Sequence, residues 1–362
     1  MFWRSRKIYQ SPELGPHARA LLKSMGYSDR ELGRPFVGIA NAWSTICPGH
    51  LNLRDLGRAV SDGIREAGGT PYEFGTIGAC DGLTQGHDGM RYVLPTRDLI
   101  ASDIEMMVQA HCLDGLVMLG SCDKIIPGML MAAARLNIPA IMVNGGPMYP
   151  GHFKGSMIAG YKVMEIEPER QAGRMTQENA LEYENAACPT CGSCAMLGTA
   201  NTMACLAEAM GMALPGAGTI PATVAERRRL VYQSGLQIMK LINKGITARD
   251  IITEKGMENA LRLILAIGGS TNAFLHVPAI AYEAGLKNIT LDTFDQLSRT
   301  TPHIACIMPA TQFDVVTFGQ AGGVQAVLKE LEPLLHPDHL TVTGHTLAEN
   351  FRNAKVEDRT II

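Results

Sequence analysis

Residues 116–143 decide the fold, and they read LVMLGSCDKIIPGMLMAAARLNIPAIMV. The apolar run at 116–120 predicts a buried strand, because it is short and ends at a glycine. Pro127 suits the first turn of a helix, so a helix is expected from there to about Leu136. A second apolar run follows at 140–143. This order predicts two parallel strands joined by a crossover helix.

The same alternation extends towards the N-terminus. Apolar runs at 35–41 and 72–77 predict two further strands. Helical segments are expected at about 53–67, after the first of these strands, and at 97–112, after the second. The sequence therefore predicts an α/β fold with a largely parallel sheet flanked by helices.

The second half of the chain has a different pattern. Residues 195–290 are mostly helical in pattern, which predicts a helix-rich second half, and residues 300–345 are expected to form short strands and turns. A length of 362 residues is that of about two domains or subdomains.

Polar side chains follow three of the predicted strands. Cys47 lies in the loop after the strand at 35–41, Asp81 follows the strand at 72–77, and the turn Cys122-Asp123-Lys124 follows the strand at 116–120. In open parallel sheets, the ligand crevice lies at the carboxyl ends of the strands. These residues are therefore expected to share one site.

Composition excludes several partners. The formal net charge is −3 and no Lys/Arg block occurs, which argues against nucleic acid. The basic N-terminus lacks an apolar segment, and no run of 18 apolar residues follows, so neither a signal peptide nor a membrane span is expected. The sequence predicts a globular cytoplasmic protein.

Cysteine is the unusual residue of the chain, with nine copies. An odd number without a secretion signal argues against a disulfide framework. Cys112, Cys205 and Cys306 lie in apolar segments and are predicted to pack in the core. The other six fall at the ends of predicted elements, where sites are built: Cys47, Cys80, Cys122, Cys188, Cys191 and Cys194.

Three of these thiols are spaced three residues apart, at Cys188, Cys191 and Cys194, directly before a helix predicted at 195–214. A helix N-terminus stabilises a thiolate and lowers its pKa. Cys194 is therefore expected to have a lowered pKa and to be a good metal ligand.

The remaining site candidates are two carboxylates and a lysine. Asp81 and Asp123 are hard oxygen donors that suit Mg²⁺, whereas thiolates suit iron–sulfur clusters or zinc. A charged Lys124 would repel a cation. It is therefore a partner of a substrate carboxylate, a catalytic base with a depressed pKa, or a carbamylated metal ligand.

Together, these stretches resemble the dihydroxy-acid/6-phosphogluconate dehydratase family, which includes sugar-acid dehydratases. The resemblance covers nearly the whole chain in order. The matching stretches are Pro48-Gly49-His50, 53–56, Asp81-Gly82, 89–92, 94–97, Cys122-Asp123-Lys124, 127–131, 188–194, 199–203, 268–272 and 321–324.

The resemblance implies a site with two kinds of metal. Cys122 and Cys194 would be ligands of an iron–sulfur cluster, and Asp81, Asp123 and carbamylated Lys124 would hold Mg²⁺. Members with a two-iron cluster carry a further cysteine where this chain has Gly49. Cys47, Cys191 or Cys188 would then supply the displaced ligand, or the cluster would be the four-iron kind, so that [2Fe–2S] and [4Fe–4S] both stay open.

The activity implied by the resemblance is dehydration of a 2,3-dihydroxy acid to a 2-keto acid. The substrate expected first is 2,3-dihydroxy-3-methylbutanoate, converted to 3-methyl-2-oxobutanoate in valine and isoleucine biosynthesis, by a homodimer or homotetramer. Residues 195–198 and 218–222 have some character of the sugar-acid branch, so an aldonate dehydratase is the alternative.

The resemblance also implies that a C-terminal β-rich domain is absent from this chain. That domain supplies a further Mg²⁺-ligating glutamate and a serine base. Residues 1–345 would be the cluster- and Mg²⁺-binding domain, with possible subdomains 1–150 and 151–345, and residues 346–362 would begin the linker. The isolated chain is expected not to turn over.

One alternative of another class is a non-catalytic metal-binding or redox-sensing module. Zinc sites need about four closed ligands, often in paired Cys-x₂-Cys units, and this chain has a single such cluster. In that alternative the carboxylates and Lys124 would have no role.

Overall fold

A four-stranded parallel sheet forms the centre of the computed structural model, which describes residues 3–362. Its strand order is β2-β1-β3-β4. A separate antiparallel ribbon joins β5 and β6. The strands are β1 Phe36–Asn41, β2 Thr70–Gly75, β3 Gly115–Gly120, β4 Ala140–Asn144, β5 Gly151–Phe153 and β6 Ser156–Ile158.

Helices make up most of the remaining structure. They are α1 Arg4–Tyr9, α2 Gly15–Ser24, α3 Asp29–Leu32, α4 Leu53–Glu66, α5 Asp81–Thr84, α6 Pro95–Ala110, α7 Ile125–Leu136, α8 Ile166–Gln171, α9 Gln177–Ala187, α10 Thr199–Ala209, α11 Ala225–Lys244, α12 Ala248–Ile251, α13 Glu254–Ala266, α14 Ala273–Ala284, α15 Leu291–Ser298, α16 Val315–Gln320, α17 Gly323–Glu330 and α18 Leu347–Phe351. Short 3₁₀ helices occur at Pro48–His50, Asp88–Tyr92, Gly160–Glu165 and Glu332–Leu334.

The predicted α/β class, the parallel sheet and the helix-rich second half are confirmed. The strand predicted at 72–77 lies at Thr70–Gly75 instead, because it pairs in register with β1 from Phe36 opposite Thr70 to Asn41 opposite Gly75. Helix α7 begins at Ile125, before Pro127.

The prediction of short strands at 300–345 is wrong. Helices α16 and α17 occupy much of this segment, and α16 begins where the Asp314 carboxylate accepts hydrogen bonds from the backbone N–H groups of Val316 and Thr317. The apolar run around Cys306 belongs to no strand. The backbone N–H of Cys306 instead donates a hydrogen bond to the carbonyl oxygen of Ile361, near the end of the chain.

The strand order creates a crevice between β1 and β3. The chain moves from β1 to β2 through α4 and then back across β1 to β3 through α6. Because parallel crossovers are right-handed, α4 lies on one face of the sheet and α6 and α7 lie on the other. The packing agrees, since α4 contacts α11, and α6 contacts α7. Ligands bind at such a reversal of strand order.

One continuous hydrophobic core includes residues from both halves of the chain. Cys205 is fully buried within it, as predicted, whereas Cys112 and Cys306 are only partly buried. Among residues 3–362, no helix is both long and apolar enough to span a bilayer. The division at residues 150 and 345 stays a prediction.

Close packing of α6 against α7 depends on Gly128. A Cβ atom at this position would lie 2.6 Å from the backbone oxygen of Arg97 and 3.1 Å from Cβ of Ile100. We expect Gly128→Ala to lower the free energy of unfolding by about 1–3 kcal/mol, because a backbone oxygen cannot rotate away. Urea denaturation measures this change. The control is Gly75→Ala, where a Cβ meets no atom within 4 Å; equal losses in both variants would contradict the prediction.

Candidate functional site

Three cysteine thiols meet at the carboxyl edge of the sheet. Cys47 follows β1, Cys80 lies between β2 and α5, and Cys122 follows β3. Their sulfur atoms all lie within 4.8 Å of one another, and Sγ of Cys47 is 3.3 Å from Sγ of Cys122. Cys47 and Cys122 are buried and Cys80 is partly buried. We call these three residues the thiol trio.

The trio shares its negative charge unequally. Hydrogen bonds from the thiols of Cys122 and Cys47 lower the pKa of Cys80, and backbone N–H groups of Leu83 and Gly82 add to this effect. The pKa of Cys122 is raised by its hydrogen bonds with Cys47 and Cys80 and by burial. For Cys47, the hydrogen bond with Cys122 lowers the pKa, but Cys80 and burial outweigh it and raise the pKa to about 12. Of the three residues, Cys80 is therefore the one whose thiolate the surroundings stabilise.

Gly49 lies against the trio. A Cβ atom at Gly49 would be 3.1 Å from Sγ of Cys122. The family resemblance predicts a cysteine at this position in two-iron members, and here the neighbouring Cys47 thiol reaches the same sulfur. Of the alternatives left open by the sequence, the structure brings Cys47 into the trio and leaves Cys188 and Cys191 outside it.

Cys194 also stands outside the trio but faces the same crevice. Its side chain reaches solvent. The protein packed around it and the negative charges of Asp81 and Cys80 raise the pKa of its thiol to about 12. The lowered pKa expected from the sequence is therefore wrong in the metal-free protein.

The physical reason is the position of the following helix. Helix α10 begins at Thr199 rather than at residue 195, so its N-terminal N–H groups do not reach Cys194. Instead, the Asn201 side-chain amide donates to the carbonyl oxygens of Cys194 and Met196, and its oxygen accepts from the Ser193 hydroxyl at 2.7 Å. These bonds hold the loop as an irregular segment.

Glycine permits this loop to approach the sheet. Gly192 has φ of +137°, and a Cβ there would lie 2.4 Å from the backbone nitrogen of Met148. The backbone carbonyl oxygen of Ser193 accepts a hydrogen bond from the backbone N–H of Met148 at 2.7 Å. The loop that carries Cys194 is thus fastened to the chain leaving β4.

A pair of carboxylates lies beside the thiols. Asp123 and Lys124 follow Cys122 in the turn after β3, and Nζ of Lys124 is 2.8 Å from Oδ1 of Asp123. Both side chains are only 8% exposed. Asp81 lies directly after Cys80, at the start of α5. Asp81 is partly buried and interacts with both Asp123 and Lys124, so the three residues predicted to hold Mg²⁺ lie together.

Burial, a hydrogen bond with Asp123 and the charge of Asp123 raise the pKa of Asp81 to about 7. Burial acts in the same direction on Asp123, but hydrogen bonds with His276 and Asp81 and the charge of Lys124 outweigh it and lower the pKa of Asp123. The two carboxyl groups titrate as a coupled pair that shares a proton near neutral pH. A divalent cation would replace that proton.

Two further histidines approach the site. Nε2 of buried His50 accepts a hydrogen bond from the backbone N–H of Ser121 at 3.3 Å, which holds the turn after β3. On α14, His276 is fully buried, and its Nε2 lies 3.6 Å from Oδ1 of Asp123. Burial lowers the pKa of His276, so the imidazole is neutral.

Sequence reasoning placed Cys80 among the six cysteines at element ends but did not name it as a ligand, and it did not single out His276. Cys80 carried a usable signal, because it adjoins Asp81 at the end of a predicted strand segment. His276 carried none, because it lies in a long helix far along the chain and reaches the site only through the packing of α14 against α7.

Comparison with known proteins agrees with the sequence resemblance. Residues 34–350 match the family described as dihydroxy-acid/6-phosphogluconate dehydratase N-terminal. A protein of Acetivibrio thermocellus named dihydroxy-acid dehydratase is 49% identical over 361 residues, which cover 99% of this chain and 65% of the relative.

Archaeal relatives with the same name are similar to the chain to the same degree. The protein of Pyrococcus abyssi is 49% identical over 355 residues, 98% of this chain and 64% of the relative. That of Methanothermobacter thermautotrophicus is 47% identical over 359 residues, 99% of this chain and 65% of the relative. The chain thus spans about 65% of the length of these relatives. It belongs to the dihydroxy-acid/6-phosphogluconate dehydratase family and corresponds to the N-terminal part of its members.

Proposed function

We propose that this chain forms the metal-binding part of a hydro-lyase that converts 2,3-dihydroxy acids to 2-keto acids. The observation that carries the proposal is the contact between two different donor sets: a soft thiol trio and a hard carboxylate pair. Adjacent residues of one turn, Cys122 and Asp123, belong to the two sets. The names of the relatives support the same reaction.

The residues present fit an iron–sulfur cluster and Mg²⁺. Three sulfur atoms held within 4.8 Å of one another suit a cluster, and the buried carboxylate of Asp123 beside the carboxyl group of Asp81 suits a cation. When bound, the cluster supplies a Lewis acid for the departing C3 hydroxyl and Mg²⁺ polarises the carboxylate and C2 oxygen of the substrate.

Each residue then has a definite task. Cys80, Cys122 and Cys47 would hold the cluster, with Cys194 as a further thiol at the mouth of the crevice. Asp81 and Asp123, which directly follow Cys80 and Cys122 in the chain, would hold Mg²⁺. Either cluster type can be built on these thiols, and iron content together with Mössbauer spectra distinguishes them.

Lys124 is proposed to act as a carbamylated Mg²⁺ ligand. As an ammonium, its Nζ pairs with Asp123 and would repel a cation from the carboxylates. Once the ammonium loses a proton, the free amine can attack CO₂ and release a second proton to solvent, which leaves a carbamate anion as a third anionic oxygen donor group beside Asp81 and Asp123. This supports the carbamylated form over a substrate-carboxylate partner or a free amine base.

The preferred substrate is 2,3-dihydroxy-3-methylbutanoate, which would place the protein in valine and isoleucine biosynthesis, in the cytoplasm and as a homodimer or homotetramer. A non-catalytic module is the weaker proposal, because the buried carboxylates and Lys124 beside the trio would then have no role.

The cluster ligands can be tested by alanine substitution of single thiols. After anaerobic purification of the 362-residue chain, we expect Cys80→Ala and Cys122→Ala to lower bound iron and visible absorbance at least about fivefold, because each removes one sulfur ligand of the trio. The matched control is Cys205→Ala, a fully buried cysteine of the core. Full iron in Cys80→Ala, or colourless wild-type protein with stoichiometric zinc, would contradict the assignment.

The carboxylate pair predicts a specific pH dependence. Because the pKa of Asp81 is raised to about 7 in the folded protein, the native state binds more protons than the unfolded state between about pH 4 and 7. Stability of the metal-free chain should therefore fall as the pH rises through this window.

The Asp81→Asn variant should not lose stability as the pH rises. Its free energy of unfolding should exceed that of the wild type at pH 8, and the difference should vanish near pH 4. Added Mg²⁺ should stabilise wild type but not Asp81→Asn. Urea denaturation across this pH range measures both effects, with Asp292→Asn, an exposed carboxylate on α15, as the control. If the free energy of unfolding depends on pH in the same way in Asp81→Asn and in the wild type, the prediction is contradicted.

The substrate is tested on a full-length protein that contains residues 1–362. We expect release of keto acid from 2,3-dihydroxy-3-methylbutanoate to exceed that from gluconate, xylonate or arabinonate, and we expect the 362-residue chain alone not to turn over. A preference of about tenfold for any aldonate would replace the first substrate by the alternative. Steady turnover by the 362-residue chain would show that its own residues suffice.

A further inference from the structure

Arg97, the last residue of the motif stretch 94–97, and His276, which lies just after the stretch 268–272, meet behind Asp123. Arg97 lies near the start of α6, and His276 lies in the first turns of α14, just after the Gly268-Gly269-Ser270-Thr271-Asn272 stretch. Nη1 of Arg97 is 3.4 Å from Nδ1 of His276 and 3.3 Å from the carbonyl oxygen of Leu275.

This contact fixes which ring nitrogen of His276 carries the proton. A guanidinium group can only donate hydrogen bonds, so Nδ1 of His276 must accept. The neutral imidazole therefore carries its proton on Nε2. With that proton in place, Nε2 is a hydrogen-bond donor and not a metal ligand.

The donor faces the carboxylate of Asp123. Nε2 of His276 lies 3.6 Å from Oδ1 of Asp123, both atoms are buried, and Nζ of Lys124 lies 2.8 Å from the same oxygen. A shift of a few tenths of an ångström would shorten the contact between Nε2 and Oδ1 to the length of a normal hydrogen bond. Once Lys124 is carbamylated, its ammonium no longer faces Oδ1, and His276 supplies the donor.

We propose that Arg97 and His276 are positioning residues for the divalent cation. Arg97 holds the tautomer of His276, and Nε2–H of His276 donates to Oδ1 of Asp123, which turns the other carboxylate oxygen towards the cation. The inference rests on the proposed Mg²⁺ site. In other proteins, residues that hydrogen-bond to metal ligands in this way orient those ligands, and their loss weakens metal binding about 10–100-fold.

The test measures binding of Mn²⁺, as a probe for Mg²⁺, to the 362-residue chain by electron paramagnetic resonance in bicarbonate-containing buffer. We expect His276→Leu to weaken Mn²⁺ binding about tenfold or more, since it removes the donor. His276→Gln should recover most of the affinity, because the glutamine amide places a donor near the position of Nε2. Arg97→Met alone should also weaken Mn²⁺ binding. Combined with His276→Leu, it should cause no further loss of Mn²⁺ affinity, because Arg97 acts through His276.

The matched control is His339→Leu. His339 is also buried and has a hydrogen-bonded ring, with Nε2 2.9 Å from the carbonyl oxygen of Met210, but it lies away from the carboxylates. Thermal melts follow folding in every variant. If His276→Leu does not fold, Arg97→Met and His276→Gln carry the test. We expect His339→Leu to bind Mn²⁺ as wild type does.

The outcomes separate this inference from the proposed function. Asp123→Asn should abolish Mn²⁺ binding; if it does not, the proposed metal site itself is wrong and the inference falls with it. If Asp123→Asn abolishes binding while His276→Leu retains it, the site stands and the positioning role is overturned. Equal losses in His276→Leu and His276→Gln would also overturn it, because the donor would then be irrelevant.

Discussion

The site depends on one topological constraint, the reversal of strand order between β1 and β3. Because the crossovers leave these strands towards opposite faces of the sheet, their carboxyl ends open onto a shared crevice. Cys47 and Cys122 enter it from the two sides, and their sulfur atoms lie 3.3 Å apart although 75 residues separate them in the chain. The close packing of α6 and α7 and the bond from Ser121 to His50 keep the turn after β3 in place.

Electrostatics within the crevice follow from this crowding. The pKa of Cys80 is lowered while those of Cys47 and Cys122 are raised, and the carboxyl groups of Asp81 and Asp123 share a proton beside Lys124, so the metal-free site holds protons where cations would bind. Each set alone has several uses in proteins. Side by side, a soft and a hard donor set in one crevice fit the dehydration that we propose.

The sequence predicted most of the fold and part of the site. Apolar runs gave four strands nearly in place, although pairing with β1 moved β2 to Thr70–Gly75. Asp81, Asp123 and Lys124 were predicted because they follow strands. The helix expected directly after Cys194 begins only at Thr199, because Asn201 and Gly192 hold the intervening loop against the chain leaving β4. Local patterns do not contain such long-range bonds.

By itself, the sequence determined the strands of the central sheet, the helices between them and the chemically active residues at their ends, since these follow from periodicity and local turn chemistry. The tertiary structure alone decided which of the six end-placed thiols meet, that Cys80 joins Cys47 and Cys122, and that Arg97 and His276 stand behind Asp123. The reason is physical: strand order and the packing of α14 against α7 set distances between residues far apart in the chain, and no local pattern records that order.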